Sequence, residues 1–138
     1  AAEPRAEREP ELEPSSGGRI LLVDDEPLIL NATTAMLKRL GYDVVACQDS
    51  NEAVAIYAER WASIDLVLLD MVMPDLSGKA TFAALQSINP KVRAVLASGY
   101  SLNGEAQEIL DDGVMGFIQK PFRMAELAKV VSQALQGS

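Results

Sequence analysis

The chain has 138 residues, which is long enough for one domain. Its formal net charge of −8 argues against nucleic acid as a direct partner, because phosphate backbones are bound by lysine and arginine. No apolar run approaches the length of a membrane span, and the single cysteine suits a reducing compartment, so we expect a cytoplasmic domain without direct membrane contact. The chain has no histidine, which excludes Ser-His and Cys-His catalysis.

Residues 1–18 form a compositional block of their own. They contain three prolines, five glutamates and two arginines, and Leu12 is their only large apolar residue. Such a segment cannot bury enough apolar surface to offset the entropy lost on ordering. We therefore predict a linker or tail over residues 1–18 and a folded domain over residues 19–138.

The folded part alternates short apolar segments with stretches of helical periodicity. The predicted strands start at Ile20, Tyr42, Leu66, Val92 and Gly116. Five strands that alternate with five helices predict an α/β fold, in which helices cover both faces of a parallel sheet. The three most apolar strands belong in the centre, which gives the flavodoxin-like order 2-1-3-4-5, a three-layer (βα)5 sandwich with its ligand crevice between strands 1 and 3.

For two of the predicted helices, the sequence predicts which residues are buried in the core. The first is expected to begin at Pro27, to end before Gly41, and to bury a face that includes Ile29 and Ala32. The second helix is expected to pack Trp61 into the core near its end.

Reactive side chains follow four of the five predicted strands. They are Asp24 and Asp25, Asp70, Ser98, and Lys120. Because the carboxyl ends of parallel strands meet at one edge of the sheet, these side chains should converge there. Taken singly, each has a simple structural role: the Asp-Asp pair caps a helix, Ser98 lies in a turn, and Lys120 is a solvated strand end.

Taken together, the same residues predict phosphoryl chemistry. Carboxylates about 4 Å apart repel each other by roughly 1–4 kcal/mol per pair, which a divalent cation relieves. Magnesium suits carboxylate and water ligands and commonly accompanies a phosphate. Lys120 and the Ser98 hydroxyl would bind the phosphoryl oxygens, and Asp70 is the natural nucleophile for an aspartyl phosphate.

These motifs resemble the receiver domain of two-component response regulators. The resemblance covers residues 19 to about 136 and includes Met73-Pro74 and Gly78 after the third strand and Lys120-Pro121-Phe122 after the fifth. It implies that Asp70 is the phosphoacceptor. It further implies that Mg²⁺ is held by Asp25, Asp70 and the backbone carbonyl of Val72, and by Asp24 through water.

The resemblance also implies a conformational switch. Lys120 would contact the phosphoryl group and precede a cis bond to Pro121, while Ser98 turns toward that group and Phe117 follows inward. The surface formed by the predicted fourth helix (residues 105–111), the fifth strand and the last helix would then change. Val72 and Tyr100 occupy the positions that tune hydrolysis, and two bulky side chains there point to a long-lived phosphorylated state.

The donor must be a histidine kinase or a histidine phosphotransfer domain supplied elsewhere, since this chain has no histidine. The turn at Ser98 and the segment around Lys120 resemble the C-terminal receivers of hybrid sensor histidine kinases, whose membrane-anchored forms are one candidate parent. A stand-alone single-domain regulator is the alternative, and a weak homodimer stays open. The domain itself would catalyse only its own phosphorylation and dephosphorylation.

Two other classes use similar architecture. A phosphohydrolase of the haloacid-dehalogenase type also has an aspartyl nucleophile after a strand, but it needs a second acid where this chain has Val72. A dinucleotide-binding domain needs a glycine-rich turn after the first strand, where this chain has Asp24-Asp25-Glu26-Pro27.

Overall fold

A computed structural model of the chain describes residues 18–70, 78–99, 111 and 113–136. These residues form one parallel sheet with helices on both faces. The strands are β1 (Arg19–Val23), β2 (Asp43–Cys47), β3 (Leu66–Asp70), β4 (Ala94–Ser98) and β5 (Gly116–Gln119). The helices are α1 (Pro27–Arg39), α2 (Ser50–Arg60), α3 (Gly78–Ile88) and α4 (Met124–Gln136), with a short 3-10 turn at Trp61–Ser63.

The strands follow the order β2-β1-β3-β4-β5, and every pairing is parallel, which confirms the predicted fold class. The register aligns the carboxyl ends of the three central strands: Val23 pairs with Leu69, and Asp70 pairs with Ala97. The residues that follow these strands therefore share one edge of the sheet. The predicted helix at residues 105–111 lies, except for Asp111, outside the described residues.

Alternation along the strands divides the core into two layers. On one face, Ile20, Leu22 and Leu68 pack against α1 and α4, which contribute Leu37 and Leu127. The predicted inner face of the last helix is confirmed, since Leu127, Val131 and Ala134 are buried.

The opposite face of the sheet packs against α2 and α3. Leu21, Val67 and Leu96 point to this side and contact a layer that includes Tyr57 and Phe82. Because β1, β3 and β4 have helices on both faces, their side chains are apolar without alternation. This explains why the sequence of these strands reads as continuous apolar runs.

The helix ends agree with their sequence signals. Pro27 begins α1, and Gly41 follows its end with φ +99°, a left-handed conformation that only glycine adopts without strain. The Asp49 side chain caps α2 by accepting hydrogen bonds from the backbone N–H groups of Asn51 and Glu52.

Two predictions about the core were wrong. Trp61 is 44% exposed, because α2 ends at Arg60 and the 3-10 turn that follows rotates position 61 away from the helical face. On α1, Ala32 is exposed and Leu30 is buried in its place. Within the described ranges, no helix is long and apolar enough to cross a lipid bilayer.

Candidate functional site

Asp24 and Asp25 lie in the turn between β1 and α1. The Asp24 backbone N–H donates to the carbonyl of Cys47, which extends the β1–β2 pairing by one residue. The Asp24 side chain is buried, and its Oδ1 accepts a 2.9 Å hydrogen bond from the backbone N–H of Glu26. This local bond fixes the orientation of the Asp24 carboxylate. Asp25 is half-buried beside it.

Asp70 is the last residue of β3, the central strand, and is buried at the same edge of the sheet. One carboxylate oxygen from each of Asp24, Asp25 and Asp70 lies within 4.8 Å of the other two. The structure thus brings together the three acids that were predicted to converge, although Asp70 is far from the other two in sequence.

Lys120 follows β5 and reaches back over two strands to the acids. Its Nζ lies 2.7 Å from Asp24 Oδ2 and 3.1 Å from Asp70 Oδ1, and its side chain is only 13% exposed. Burial acts to lower the pKa of Lys120, but the hydrogen bond to Asp24 and the charge of Asp70 outweigh it, so the net pKa is raised. The lysine is therefore positively charged at neutral pH.

The three carboxylates and the lysine leave a net negative charge at a largely buried position. The ammonium group neutralises only part of this charge, and the remaining oxygens are hard donors. This donor set fits a small divalent cation such as Mg²⁺. A Val72 carbonyl was also predicted to contribute, and that residue lies outside the described part of the chain.

Ser98 and Phe117 occupy the neighbouring strands. Ser98 ends β4, is almost fully buried, and its carbonyl accepts a 2.7 Å hydrogen bond from the Lys120 backbone N–H. Phe117 is half-buried, pairs with Leu96 in the sheet, and packs against the α2–α3 layer of the core. The peptide bond between Lys120 and Pro121 is cis, as the resemblance implied. Tyr100 lies outside the described residues.

A cavity of about 730 Å³ opens beside the acids, where a ligand crevice was predicted, but the sequence did not predict its wall of α1 residues and Phe122. Asp25, Asp70 and Lys120 form its polar end, and residues of α1 together with Phe122 form an apolar wall. Glu26 also lines the cavity, in addition to orienting Asp24 through its backbone. An Asp side chain commonly accepts a hydrogen bond from the backbone N–H two residues on, and Asp24 is therefore the sequence signal that could have assigned the Glu26 backbone this role.

Comparisons with known proteins agree with the geometry. The profile of the response regulator receiver domain family matches residues 20–132. Over 136 residues, the chain is 30% identical to the sensor kinase CckA of Brucella abortus, covering 99% of this chain and 14% of the kinase. It is 32% identical over 120 residues to the two-component response regulator ARR11 of Arabidopsis thaliana, covering 85% of this chain and 22% of that regulator.

The chain thus spans less than a quarter of either of these curated relatives. Among solved structures, it resembles a response regulator receiver domain protein from Clostridium thermocellum with a TM-score of 0.82 and 28% identity. That match covers 86% of this chain and 94% of the other. Since the family profile matches most of the chain and the acids, the lysine and the sheet order agree with it, the chain belongs to the response regulator receiver domain family.

Proposed function

We propose that the domain accepts a phosphoryl group from a phosphohistidine onto Asp70, as a phosphoacceptor in two-component signalling. The observation that carries this proposal is the juxtaposition of Asp24, Asp25 and Asp70 with Lys120, whose Nζ contacts two of the three acids. Acids held this close, next to one buried cation, are suited to bind a cation and a phosphoryl group together.

In the proposed transfer, an oxygen of the Asp70 carboxylate attacks phosphorus. The new O–P bond forms as the P–N bond to the donor imidazole breaks, and the imidazole leaves with the electron pair of that bond and takes up a proton. Lys120 stabilises the charge on the phosphoryl oxygens, because its ammonium group already lies 3.1 Å from Asp70 Oδ1. The domain therefore supplies the nucleophile and the electrostatic stabilisation, and the partner supplies the phosphoryl group.

Mg²⁺ is the cofactor that this donor set would hold, through Asp25, Asp70 and the carbonyl of Val72. When bound, it neutralises the negative charge of the phosphoryl oxygens. Both oxygens of Asp24 already have partners, since Oδ1 accepts from the Glu26 N–H and Oδ2 from Lys120. This supports an indirect role for Asp24, through water, while Asp25 is the more available ligand.

We further propose that phosphorylation shifts Ser98 and Phe117 together. The carbonyl of Ser98 is tied to the Lys120 backbone, so a movement of Ser98 toward the phosphoryl group is transmitted to β5. Phe117 lies on β5 and is only half-buried, which leaves it room to change rotamer. The changed surface would include residues 105–111, β5 and α4. Val72 and Tyr100 are proposed to slow hydrolysis by blocking water.

The donor would approach along the cavity at α1. Leu28 is 82% exposed at the rim of this cavity, and the apolar wall formed by α1 leads directly to Asp70. A helix of a histidine kinase or histidine phosphotransfer domain could pack its apolar side against this wall and present its phosphohistidine to Asp70. Leu28→Ala should therefore weaken transfer from a protein donor but leave phosphorylation by a small donor unchanged.

For the parent protein, we favour the C-terminal receiver of a hybrid sensor histidine kinase. The similarity to the sensor kinase of Brucella abortus extends over 136 residues, whereas the match to the plant regulator covers 120. A stand-alone regulator is the alternative. In either case a phosphohistidine donor in the same organism must phosphorylate this chain and not its Asp70→Asn variant.

The first experiment is intact mass after incubation with a small acyl phosphate, with and without Mg²⁺. Wild type should gain one phosphoryl group only when Mg²⁺ is present, and Asp70→Asn should gain none. Asp43→Asn, which changes an exposed acid, is the matched control and should react like wild type. No adduct on folded wild-type protein with any donor would contradict the proposed phosphoacceptor function.

The switch has a separate test. Addition of beryllofluoride with Mg²⁺, a phosphoryl mimic, should shift the NMR signals of residues 100–125 in wild type and in Asp43→Asn. The Phe117→Ala variant should still bind the mimic but transmit a smaller shift to α4. Unchanged signals in residues 100–125 of the loaded wild type would refute the proposed switch.

A further inference from the structure

A second cavity lies at the other end of the sheet from Asp70. It has a volume of about 340 Å³, and its walls include Trp61, Asp65, Lys91 and Arg93. Asp65 precedes β3 and Arg93 precedes β4, so this cavity is at the amino ends of the strands, whereas the acids lie at the carboxyl ends. The proposed phosphoacceptor function makes no use of it.

The cavity wall carries two cations, Lys91 and Arg93, and one acid, Asp65, although the chain as a whole is acidic. Arg60 directly precedes Trp61, and Lys91 and Arg93 lie between α3 and β4. We call the two cations of the cavity wall, Lys91 and Arg93, the basic end. Arg60 closes α2, where a cation offsets the helix dipole, and Arg93 donates to the carbonyl of Leu135 in the last turn of α4, but Lys91 has no such role. Among the described residues, neither Arg60 nor Lys91 forms an ion pair.

The chain enters the folded domain at the rim of this cavity. A Cβ at Gly18 would lie 3.5 Å from Asp65 Oδ2 and 3.6 Å from Leu135 Cδ1. The backbone N–H of Arg19 donates to Asp65, a wall residue of the cavity, and the Arg93 guanidinium donates to the carbonyl of Leu135. The bond to Asp65 places the start of the domain at the cavity wall, and Leu135 lies between Gly18 and Arg93.

The residues just before this entry point are acidic. Glu9, Glu11 and Glu13 alternate with uncharged residues and have no lysine or arginine among them. A chain spans at most about 3.3–3.6 Å per residue, so Glu13 lies no more than about 18 Å from Gly18, within reach of the whole cavity. A short tether also keeps the local concentration of these carboxylates high, in the millimolar range.

We propose that residues 1–17 dock on the basic end, with glutamates from Glu9 to Glu13 against Lys91 and Arg93. Charge complementarity and the position of Gly18 both favour this occupant. Docking there would hold whatever precedes the domain at the amino ends of the strands and leave the Asp70 end open to a partner. The proposal is independent of phosphoryl transfer.

Trp61 reports on this contact, because it lines the cavity and is the chain's one tryptophan. The first readout is the indole NMR signal of the full chain between ~20 mM and ~1 M salt, since screening shortens from about 20 Å or more to about 3 Å over this range. The wild-type signal should move with salt. The triple variant Glu9→Gln, Glu11→Gln, Glu13→Gln should start at the wild-type high-salt position and move by less than half as much.

Lys91→Gln should behave like the triple variant, and Lys129→Gln, which removes an exposed lysine of α4, should behave like wild type. A nitroxide attached at Ser15→Cys provides a direct distance measurement, since Cys47 is buried. It should broaden the Trp61 indole signal at low salt, and high salt should remove the broadening. The proposal is overturned if wild type and the triple variant coincide at low salt, if Lys129→Gln has the same effect as Lys91→Gln, or if the nitroxide leaves Trp61 unaffected.

Discussion

Replacing Lys120 by methionine tests how far one cation stabilises the site. Its Nζ lies 2.7 Å and 3.1 Å from two carboxylate oxygens, which corresponds to a gross attraction of about 5–6 kcal/mol per contact at an effective dielectric constant of about 20. Without the lysine, carboxylate oxygens within 4.8 Å of one another would repel by at least about 3.5 kcal/mol per pair on the same scale. The cost of desolvating the lysine offsets part of its attraction to the two carboxylates, as it does in other buried ion pairs.

We therefore expect Lys120→Met to lower the free energy of unfolding by about 3–5 kcal/mol without Mg²⁺, which is typical of breaking a buried pair by removing one partner. Saturating Mg²⁺ should recover about half of the loss, because the cation restores the missing positive charge. Apparent Mg²⁺ affinity should rise, since the competing ammonium group is gone. Phosphorylation by a small acyl phosphate should fall sharply.

The assay is urea unfolding with and without Mg²⁺, together with the double variant Lys120→Met, Asp24→Asn. Removing the Asp24 charge should recover about 1–3 kcal/mol in the double variant, because the two residues are in contact. Lys129→Met is the matched control on an exposed face and should stay within about 0.5 kcal/mol of wild type. An equal loss with and without Mg²⁺, and strict additivity with Asp24→Asn, would refute electrostatic coupling in this cluster.

Three further predictions concern stability. Asp49→Ala removes the side-chain cap of α2 and should cost about 1 kcal/mol in chemical unfolding, with Asp43→Ala, an exposed acid, as the control. Gly41→Ala places a Cβ at φ +99° and should cost about 1–2 kcal/mol, and a smaller loss would show that the backbone relaxes there. Burial, with a smaller contribution from the Glu52 charge, raises the pKa of Cys47 from 9.0 to about 11, so the folded chain keeps a proton that the unfolded chain releases. Stability should therefore fall by about 1 kcal/mol between pH 9 and pH 10, as part of a total loss of about 2.7 kcal/mol at higher pH, and Cys47→Ala should lack the fall between pH 9 and pH 10.

Much of the fold could be predicted because the apolar pattern of each strand agrees with the position of that strand in the sheet. The central strands are apolar throughout, and that pattern alone identifies β1, β3 and β4 as buried on both faces. Trp61 was misplaced because helical periodicity says nothing about where a helix ends, and no glycine or proline marks the end of α2. Leu30 was missed for a similar reason, since neighbouring residues on α1 fit the helical spacing nearly as well.

Which residues form the site could also be predicted, but the hydrogen bonds and ion pairs between them could not. The ends of parallel strands converge by topology, so Asp24, Asp70 and Lys120 were expected to be neighbours. Which acid Lys120 contacts depends on rotamers and on a turn 96 residues away, and neither is encoded locally. The cavity beside α1 likewise arises from the packing of α1 against the β5–α4 connection, which a pattern along one segment does not contain.

Asp70 and β5, the two ends of the proposed signalling path, differ in how many neighbouring strands hold them in the sheet. Asp70 ends a strand with hydrogen-bonded neighbours on both sides, so its position is fixed by two ladders. Among the strands of the described residues, β5 has four residues and pairs with β4 alone, so one side of it has no partner strand there. A displacement at the chemical centre therefore meets the least mechanical resistance along β5. In such an arrangement Asp70 keeps its geometry through each cycle of phosphorylation and dephosphorylation. The deformation is largest at the β5 edge of the sheet, where another protein can bind.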